Sequence, residues 1–564
     1  LKVPATTFEE LAELGERLEA TSSRLEMAES IAGFLKGLTP EEVPPAVRLL
    51  LGQVFPEWDE HSLNLSWRAV QKVTTELARP SADDWEQAFS EAVDAGEAVR
   101  LLWAKKGPSS PQPPRLTILE VYSTFEAIAE TKGQGSRATK EALLHSLLSR
   151  ATPLEAKYLV KDILGEMRHG VSEGILLEAV ARACGAKQSL LRRANMFLGD
   201  LGEVAAVALT QGQAGLKPIS PQLFRPLKSM LAQPAQNLAE AFQYHHGEVA
   251  VEYKFDGARV QIHKDGADVE IFTRNLRPVT GSLPEVVEEV GAQVPADQVI
   301  LDGEVIAVNR DGRPLPFQHL MRRFRRVRDV QETARQIPVQ LQLFDILYLE
   351  GRNLVDLPYT ERWSILEKNK GQIASAERIL PGDFSEAEAF AEQARLAGHE
   401  GVMVKQLRSQ YRPGVRGKSW FKVKHTLSVD LVIVAADWGY GRRHGWLSNY
   451  HLAAKDQVAG TFMEVGKTFK GPTDEEFQQM TERLLALETH RSGGTVFVEP
   501  KVVVEVVFNE VQASPQYESG LALRFARITR VREDKNPGDA DTLQTLRELF
   551  RDQFQQKGTY TAPD

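Results

Sequence analysis

The residues with the clearest chemical potential lie together at Glu252-Tyr253-Lys254-Phe255-Asp256-Gly257-Ala258-Arg259. A lysine at a strand end followed by Asp-Gly sets an amine on a turn whose backbone can approach a phosphate closely. An amine attacks only when neutral, and an adjacent cation such as Arg259 is expected to lower the pKa of Lys254. By itself the string serves a hairpin turn with a solvated lysine equally well. Further segments follow in order, each at a strand end: Phe272-Thr273-Arg274-Asn275, Leu301-Asp302-Gly303-Glu304-Val305, Leu341 to Leu347 around Phe344, Glu400-Gly401-Val402-Met403-Val404-Lys405 and Trp420-Phe421-Lys422-Val423-Lys424. Lys422 and Lys424 alternate with apolar residues, so both amines project from one strand face. The stretch Leu523 to Lys535 closes the series, with Arg524, Arg527, Arg530, Arg532 and Lys535 beside Asp534.

Three kinds of chain must hold these groups. From Phe8 to about Gln211 apolar residues recur at three and four, as in Phe8, Leu11, Leu14 and Leu18, which predicts a helical domain interrupted by the proline-rich loop Lys106 to Arg115 and restarting at Thr152-Pro153. A second break runs from Gly212 to Pro234. After Gly247 the pattern turns to period two, predicting strands at Val249 to Tyr253, Ala258 to His263, Val269 to Phe272, Val299 to Val308 and Val339 to Leu349, with helices near Leu283 to Val290, His319 to Arg328 and Tyr359 to Asn369. Beyond Lys424 the expected strands are Asp430 to Trp438, Tyr450 to Ala454, Thr461 to Val465, Thr495 to Val507 and Leu523 to Val531, with one helix at Asp474 to Leu487. Five short strands suit a small barrel. The expected domains are 1–235, 236–426 and 427–564.

Composition narrows the class. The 564 residues carry 68 basic and 77 acidic side chains, a net charge of −9, so any polyanion must be met by local basic clusters rather than a basic coat. The single cysteine, Cys184, permits neither an internal disulfide nor a cysteine zinc module, and suggests an intracellular, cytoplasmic protein. No apolar run approaches the length of a spanning helix, so no membrane partner is expected. Gly466-Lys467-Thr468 ends a segment whose glycine spacing is one residue too long for a phosphate-binding Walker loop.

The ordered motifs closely resemble those of the ATP-dependent DNA ligases of the covalent nucleotidyltransferase superfamily, the archaeal and eukaryotic replicative type. The resemblance covers nearly the whole chain, including Lys157-Tyr158-Leu159-Val160 and Ile163-Leu164-Gly165-Glu166-Met167-Arg168 in the first domain. It implies an all-α N-terminal DNA-binding domain, an α/β (α+β) nucleotidyltransferase domain and an all-β OB-fold C-terminal domain. It also implies that Lys254 attacks the α-phosphate of ATP and holds AMP as a phosphoramide. Phe344 would then lie on adenine, although a core aromatic is the alternative for a strand Phe. Glu252 would contact adenine or order the pocket edge, unless it is an exposed edge carboxylate. Arg259 and Arg274 would bind AMP or the nick phosphate as forked donors. Glu304 and Glu400 would surround the ribose and metal sites. Acids without histidine fit Mg²⁺ or Mn²⁺ better than zinc, and structural pairing with a lysine is the other use of either glutamate.

In the same family pattern Lys422 contacts the α-phosphate, with Lys424 beside it on the same strand face, and Arg416 in the loop Arg412 to Lys418 binds nucleotide or is a solvated loop cation. Arg527, Arg530, Arg532, Asp534 and Lys535 would orient the pyrophosphate when the C-terminal domain closes, or form a solvated face. Basic groupings in all three domains nominate DNA contacts at Arg168, Arg192, Arg193, Arg323, Arg326, Arg442 and Arg443, each of which could equally be a solvated charge. The expected partner is nicked double-stranded DNA, met by a monomer, with a sliding clamp as a candidate protein partner. RNA ligases and capping-type enzymes share the nucleophile string, but the helical domain of about 210 residues and the form of the last motif weigh against them. A noncatalytic scaffold that binds DNA ends is the reading from another class.

Overall fold

The computed structural model describes residues 5–107, 115–324, 330–412, 417–424, 427–439 and 443–556. Twelve helices among these residues, from Phe8–Glu19 to Leu201–Leu216, build the N-terminal region around one apolar core. The start at Thr152-Pro153 is the helix Pro153–Leu164: Thr152 caps it reciprocally with Glu155, and proline at the first turn forfeits no hydrogen bond. At the second break, Leu201–Leu216 kinks at Gly212, whose φ of 60° is open to glycine.

The central region holds two five-stranded sheets. One runs Gln233–Pro234, Trp420–Lys424, Gly401–Gln406, Val249–Lys254, Arg378–Ile379, and the other Asp268–Thr273, Ala258–Asp265, Gln298–Ala307, Val339–Leu349, Arg352–Asn353. Each has its own apolar cluster, and a third, with Phe255, Phe344, Leu347, Tyr411 and Trp420, joins them. The expected strands are found with slightly different ends. A helix the periodicity did not single out, Phe384–Leu396, covers the first sheet through Ala387, Phe390 and Ala394.

The domain start differs from the expected residue 236. Gln233 and Pro234 already pair with Phe421 and Lys422, and Leu227 and Met230 are buried in the joining cluster. The prolines of this stretch forbid a helix but not an extended strap laid on a sheet edge. The first two regions are tied by Arg193 with Asp356, and Leu276, at φ 61°, packs toward Trp58 and Gly199.

In the C-terminal region a six-stranded sheet is ordered Phe462–Thr468, Leu447–Lys455, Leu427–Trp438, Thr495–Phe508, Glu488–Ser492, with Arg527–Val531 also paired to Thr495–Phe508. A separate ladder joins Glu510–Ala513 to Leu521–Arg524. The single strand expected over Leu523 to Val531 is thus two strands, broken where Phe525 takes a φ of 58°. A closing helix, Leu543–Gln556, buries Leu543 and Leu546 in the same core. No helix of the described residues is long and apolar enough to cross a membrane.

Beside Phe344, Asp345 is fully buried and grips Arg362 in two hydrogen bonds of 2.8 and 2.9 Å. Arg362 also donates to the carbonyls of Leu357 and Ser409, so every strong contact of this buried charge is met. Arg362→Met leaves Asp345 buried without its partner and should destabilise the central region by about 3–5 kcal/mol. Urea unfolding followed by tryptophan fluorescence measures this, and a midpoint equal to that of the parent protein would refute it.

Candidate active site

Lys254 ends its strand opposite Gly401, and Lys424 of the neighbouring strand is opposite the same residue. This register brings three motif segments to one point. Gly401 has φ 149°, and a Cβ there would stand 2.1 Å from the Val423 carbonyl, so no side chain fits between the strands. At the partner turn a Cβ on Gly257 would meet the Val305 carbonyl at 2.4 Å. Glu400, just before Gly401, donates its N–H to the Lys254 carbonyl at 2.9 Å and reaches Lys254 Nζ with Oε2 at 2.5 Å. Its other oxygen accepts from Lys424.

These groups floor a cavity of about 330 Å³. Phe344 and Trp420 line one part of it, and Arg274, Lys422 and Lys424 bring cations to it. Glu252, Arg259, Glu304, Phe317 and Lys405 also line it, as do Leu231 and Ala232 from the strap that precedes the domain. Glu252 is no edge carboxylate. It is 1% exposed, lies 2.6 Å from Lys405 Nζ and accepts from the Tyr359 hydroxyl. Lys405 sits among the rings of Phe344, Tyr359 and Trp420 at 4.4–4.9 Å, and its burial lowers the ammonium pKa against the pull of Glu252.

The expectation that Arg259 lowers the pKa of Lys254 is corrected. Arg259 is neutralised by two hydrogen bonds to Asp302, at 3.0 and 2.6 Å, and is further held by the Met230 carbonyl and Tyr411. Burial alone would push the Lys254 ammonium down, but Glu400, Glu304 and Asp256 outweigh it and the pKa is raised. Glu400 moves the other way: burial would raise it, and Lys254 and Lys424 bring it below the usual carboxylate range. Burial pushes Glu304 up to about 7.

Among the cations of the last motif, Arg524 is the one that lines the cavity. It pairs with Glu510 at 2.9 Å and with Asp256 at 3.3 Å, and lies over the rings of Phe317 and Phe525. The others do not reach it. Arg530 pairs with Glu505, and Arg532 and Lys535 converge on Asp430, with Asp534 on Arg532. Arg527 is exposed on the strand paired to Thr495–Phe508. The break at Phe525 assigns Arg524 to one ladder and Arg527 and Arg530 to another, with Arg532, Asp534 and Lys535 beyond the end of that strand.

The DNA candidates separate in the same way. Arg323 is 2% exposed, pairs with Glu285 at 2.6 Å and donates to the carbonyls of Ser282 and Ile337, so it is a core residue and unavailable to phosphate. Arg193 serves the interdomain pair with Asp356 and packs on Phe197. Arg168 is exposed beside Glu166, Arg192 is half-buried, and Arg443 lies 4.2 Å from the Phe477 ring. Arg326, Arg416 and Arg442 lie outside the described residues. Asp302 and Tyr411 were not singled out by the motifs. Period two offered a signal for Asp302, which shares a strand face with Glu304, whereas nothing local marks Tyr411.

Among the described residues no three His, Cys, Asp or Glu side chains gather as a metal site on their own. The lining offers hard carboxylate oxygens and neither cysteine nor histidine, a set that Mg²⁺ completes with waters and phosphate oxygens. Glu304 is the better placed of the two expected ligands, because both oxygens of Glu400 are already engaged by lysines.

A largely enclosed amine beside carboxylates, with aromatic rings and a group of cations around it, is the chemical centre of this cavity. Three family models match the chain: DNA ligase N terminus over residues 7–181, ATP dependent DNA ligase domain over 229–424 and ATP dependent DNA ligase C terminal region over 443–535. DNA ligase 1 of Korarchaeum cryptofilum (strain OPF8) is 44% identical over 97% of this chain and 99% of its own length. The DNA ligase of Thermococcus fumicolans is 42% identical over 96% and 98%. A solved structure titled Pmar-Lig_PreS3 shares the fold, with a TM-score of 0.56 at 18% identity over 93% of this chain and 99% of that one. The chain belongs to the ATP-dependent DNA ligases.

Glu400→Gln removes the strongest charge that raises the Lys254 pKa. The neutral amine is then present at lower pH, so the rising limb of the pH profile for lysine labelling by ATP should move to lower pH. A limb that stays in place, or moves up, contradicts the assigned cause.

Proposed function

We propose that this DNA ligase seals nicks in double-stranded DNA with Lys254 as its nucleophile. In the first step Lys254 Nζ, having given up a proton, forms a bond to the α-phosphorus of ATP, and the bond to the bridging oxygen breaks with loss of pyrophosphate. In the second, an oxygen of the nick's 5′-phosphate bonds to the AMP phosphorus as the bond to Nζ breaks, which releases Lys254. In the third, the 3′-hydroxyl attacks that phosphate and AMP leaves. The observation that carries the assignment is the position of Lys254 Nζ, 2.5 Å from Glu400 on the floor of the cavity shared by Phe344 and the cations Arg274, Lys422 and Lys424.

Each remaining side chain takes a part within that scheme. Phe344 and Trp420 support stacking of the base, and Glu252, held by Lys405 and Tyr359, presents a carboxylate at the cavity wall. Arg274, Lys422 and Lys424 attract phosphate oxygens, and Arg259 acts mainly by ordering Asp302 and the Met230 strap at the wall. Glu304 would hold a divalent ion, while Glu400 stays on Lys254 through Oε2. When bound, such an ion supplies charge screening of the phosphate oxygens. Arg524 and Phe525, reaching the cavity from the C-terminal region, shield the nucleotide from water during the first step. We read that region as an OB-type barrel, since the ladder Glu510–Ala513 with Leu521–Arg524 folds back over the larger sheet into one core, and the helical region as DNA-binding.

Incubation with α-labelled ATP and Mg²⁺ should mark the chain, and nicked duplex should then discharge the label and be sealed. Lys254→Ala should take up no label while keeping its circular dichroism, and chelation of the metal should stop both reactions until Mg²⁺ or Mn²⁺ is returned. Label persisting on the Lys254→Ala protein would reject the nucleophile. Label from GTP in place of ATP, with sealing of RNA instead of DNA, would favour the RNA-ligase and capping class.

A further inference from the structure

One contact across the domain junction has no part in the transfers above. Asn509 lies in the C-terminal region between the strands Thr495–Phe508 and Glu510–Ala513, and its side-chain amide donates to Glu400 Oε1 at 3.3 Å. Its backbone N–H donates to the Arg524 carbonyl at 3.0 Å. The edge that brings Arg524 to Asp256 therefore also delivers Asn509. Glu400 receives Lys424 and Asn509 on one oxygen while the other faces Lys254, so the orientation of its carboxylate depends on a residue from another domain. Both Glu400 and Asn509 border a small crevice of about 130 Å³ at this junction, together with Asp256, Glu510 and Arg524.

We propose that Asn509 is a positioning residue for the lysine-AMP step. Its amide docks the C-terminal region on Glu400 and holds the carboxylate plane so that Oε2 stays directed at Lys254, tying closure of that region to the alignment of the nucleophile. Residue type matters here. A carboxamide donates to a carboxylate, whereas an aspartate of nearly the same shape has nothing to donate and repels it. The contact acts through Glu400 and Lys254, and it has no part in sealing a nick that already carries AMP, where the attacking group is the 3′-hydroxyl.

The inference rests on Lys254 being the nucleophile, and step-resolved kinetics on the full chain test the two separately. Asn509→Ala should slow single-turnover labelling by ATP, and Asn509→Asp should slow it further, by roughly tenfold to a hundredfold, with the effect on the rate constant rather than on the KM for ATP. Asn509→Gln, which can still donate, should recover part of the rate. All three should seal a pre-adenylated nick at the parent rate. Labelling of Asn509→Asp at the parent rate would overturn the proposal, as would an equal loss in sealing of the pre-adenylated nick, since a merely structural defect lowers both. Absence of any label on the parent chain would instead reject the Lys254 assignment, and the positioning role with it.

Discussion

Lys254, the lysine proposed as the nucleophile, stands largely enclosed as a cation, and its charge is met by Glu400 at 2.5 Å. Burial of an unpaired ammonium is unfavourable by several kcal/mol, so some carboxylate has to accompany it. The same carboxylate then keeps the proton on the amine. The site therefore rests in an unreactive, charge-balanced state, with Glu304 and Asp256 adding to the negative field. A phosphate arriving beside Lys424 would compete with Glu400 for that amine, an exchange that a resting ion pair of this kind permits.

The geometry follows from strand register. Lys254 and Lys424 both face Gly401, and Glu400 precedes it, so three distant segments are held within hydrogen-bonding distance by ladders rather than by a loop. Rigid backbone suits the task, because small displacements of a reacting group lower rates steeply. Behind the site, Asp302 holds Arg259 and Asp345 holds Arg362, each through two hydrogen bonds. They hold the cavity wall, and the strap around Met230 is fastened to it through Arg259.

The C-terminal region illustrates how one residue redirects a motif. With Phe525 in a left-handed conformation, the stretch from Leu521 to Val531 divides between two ladders. Arg524 turns to the central cavity while Arg532 and Lys535 settle on Asp430 within their own region. A net charge of −9 is compatible with a polyanion partner because cations such as Arg274, Lys422 and Lys424 gather at the cavity, whereas others such as Arg323 are spent on the fold.

The sequence by itself determined most of the elements and several of the residues that line the cavity. Period and motif order placed Lys254, Glu304, Phe344, Glu400, Lys422 and Lys424 on or beside strands, and these line one cavity, although Phe344, Glu304 and Lys422 fall inside their strands rather than at the expected ends; strand alternation and glycine at close approaches are local rules. Tertiary structure alone decided which charges meet. That Arg259 is neutralised by Asp302, that Arg323 is interior, that residues 227–234 belong to the central region and that Arg524 parts from its neighbours all depend on partners distant in sequence. A charged side chain reads the same in a one-dimensional pattern whether it faces solvent, a buried carboxylate or a phosphate, and only burial and the opposing group distinguish them.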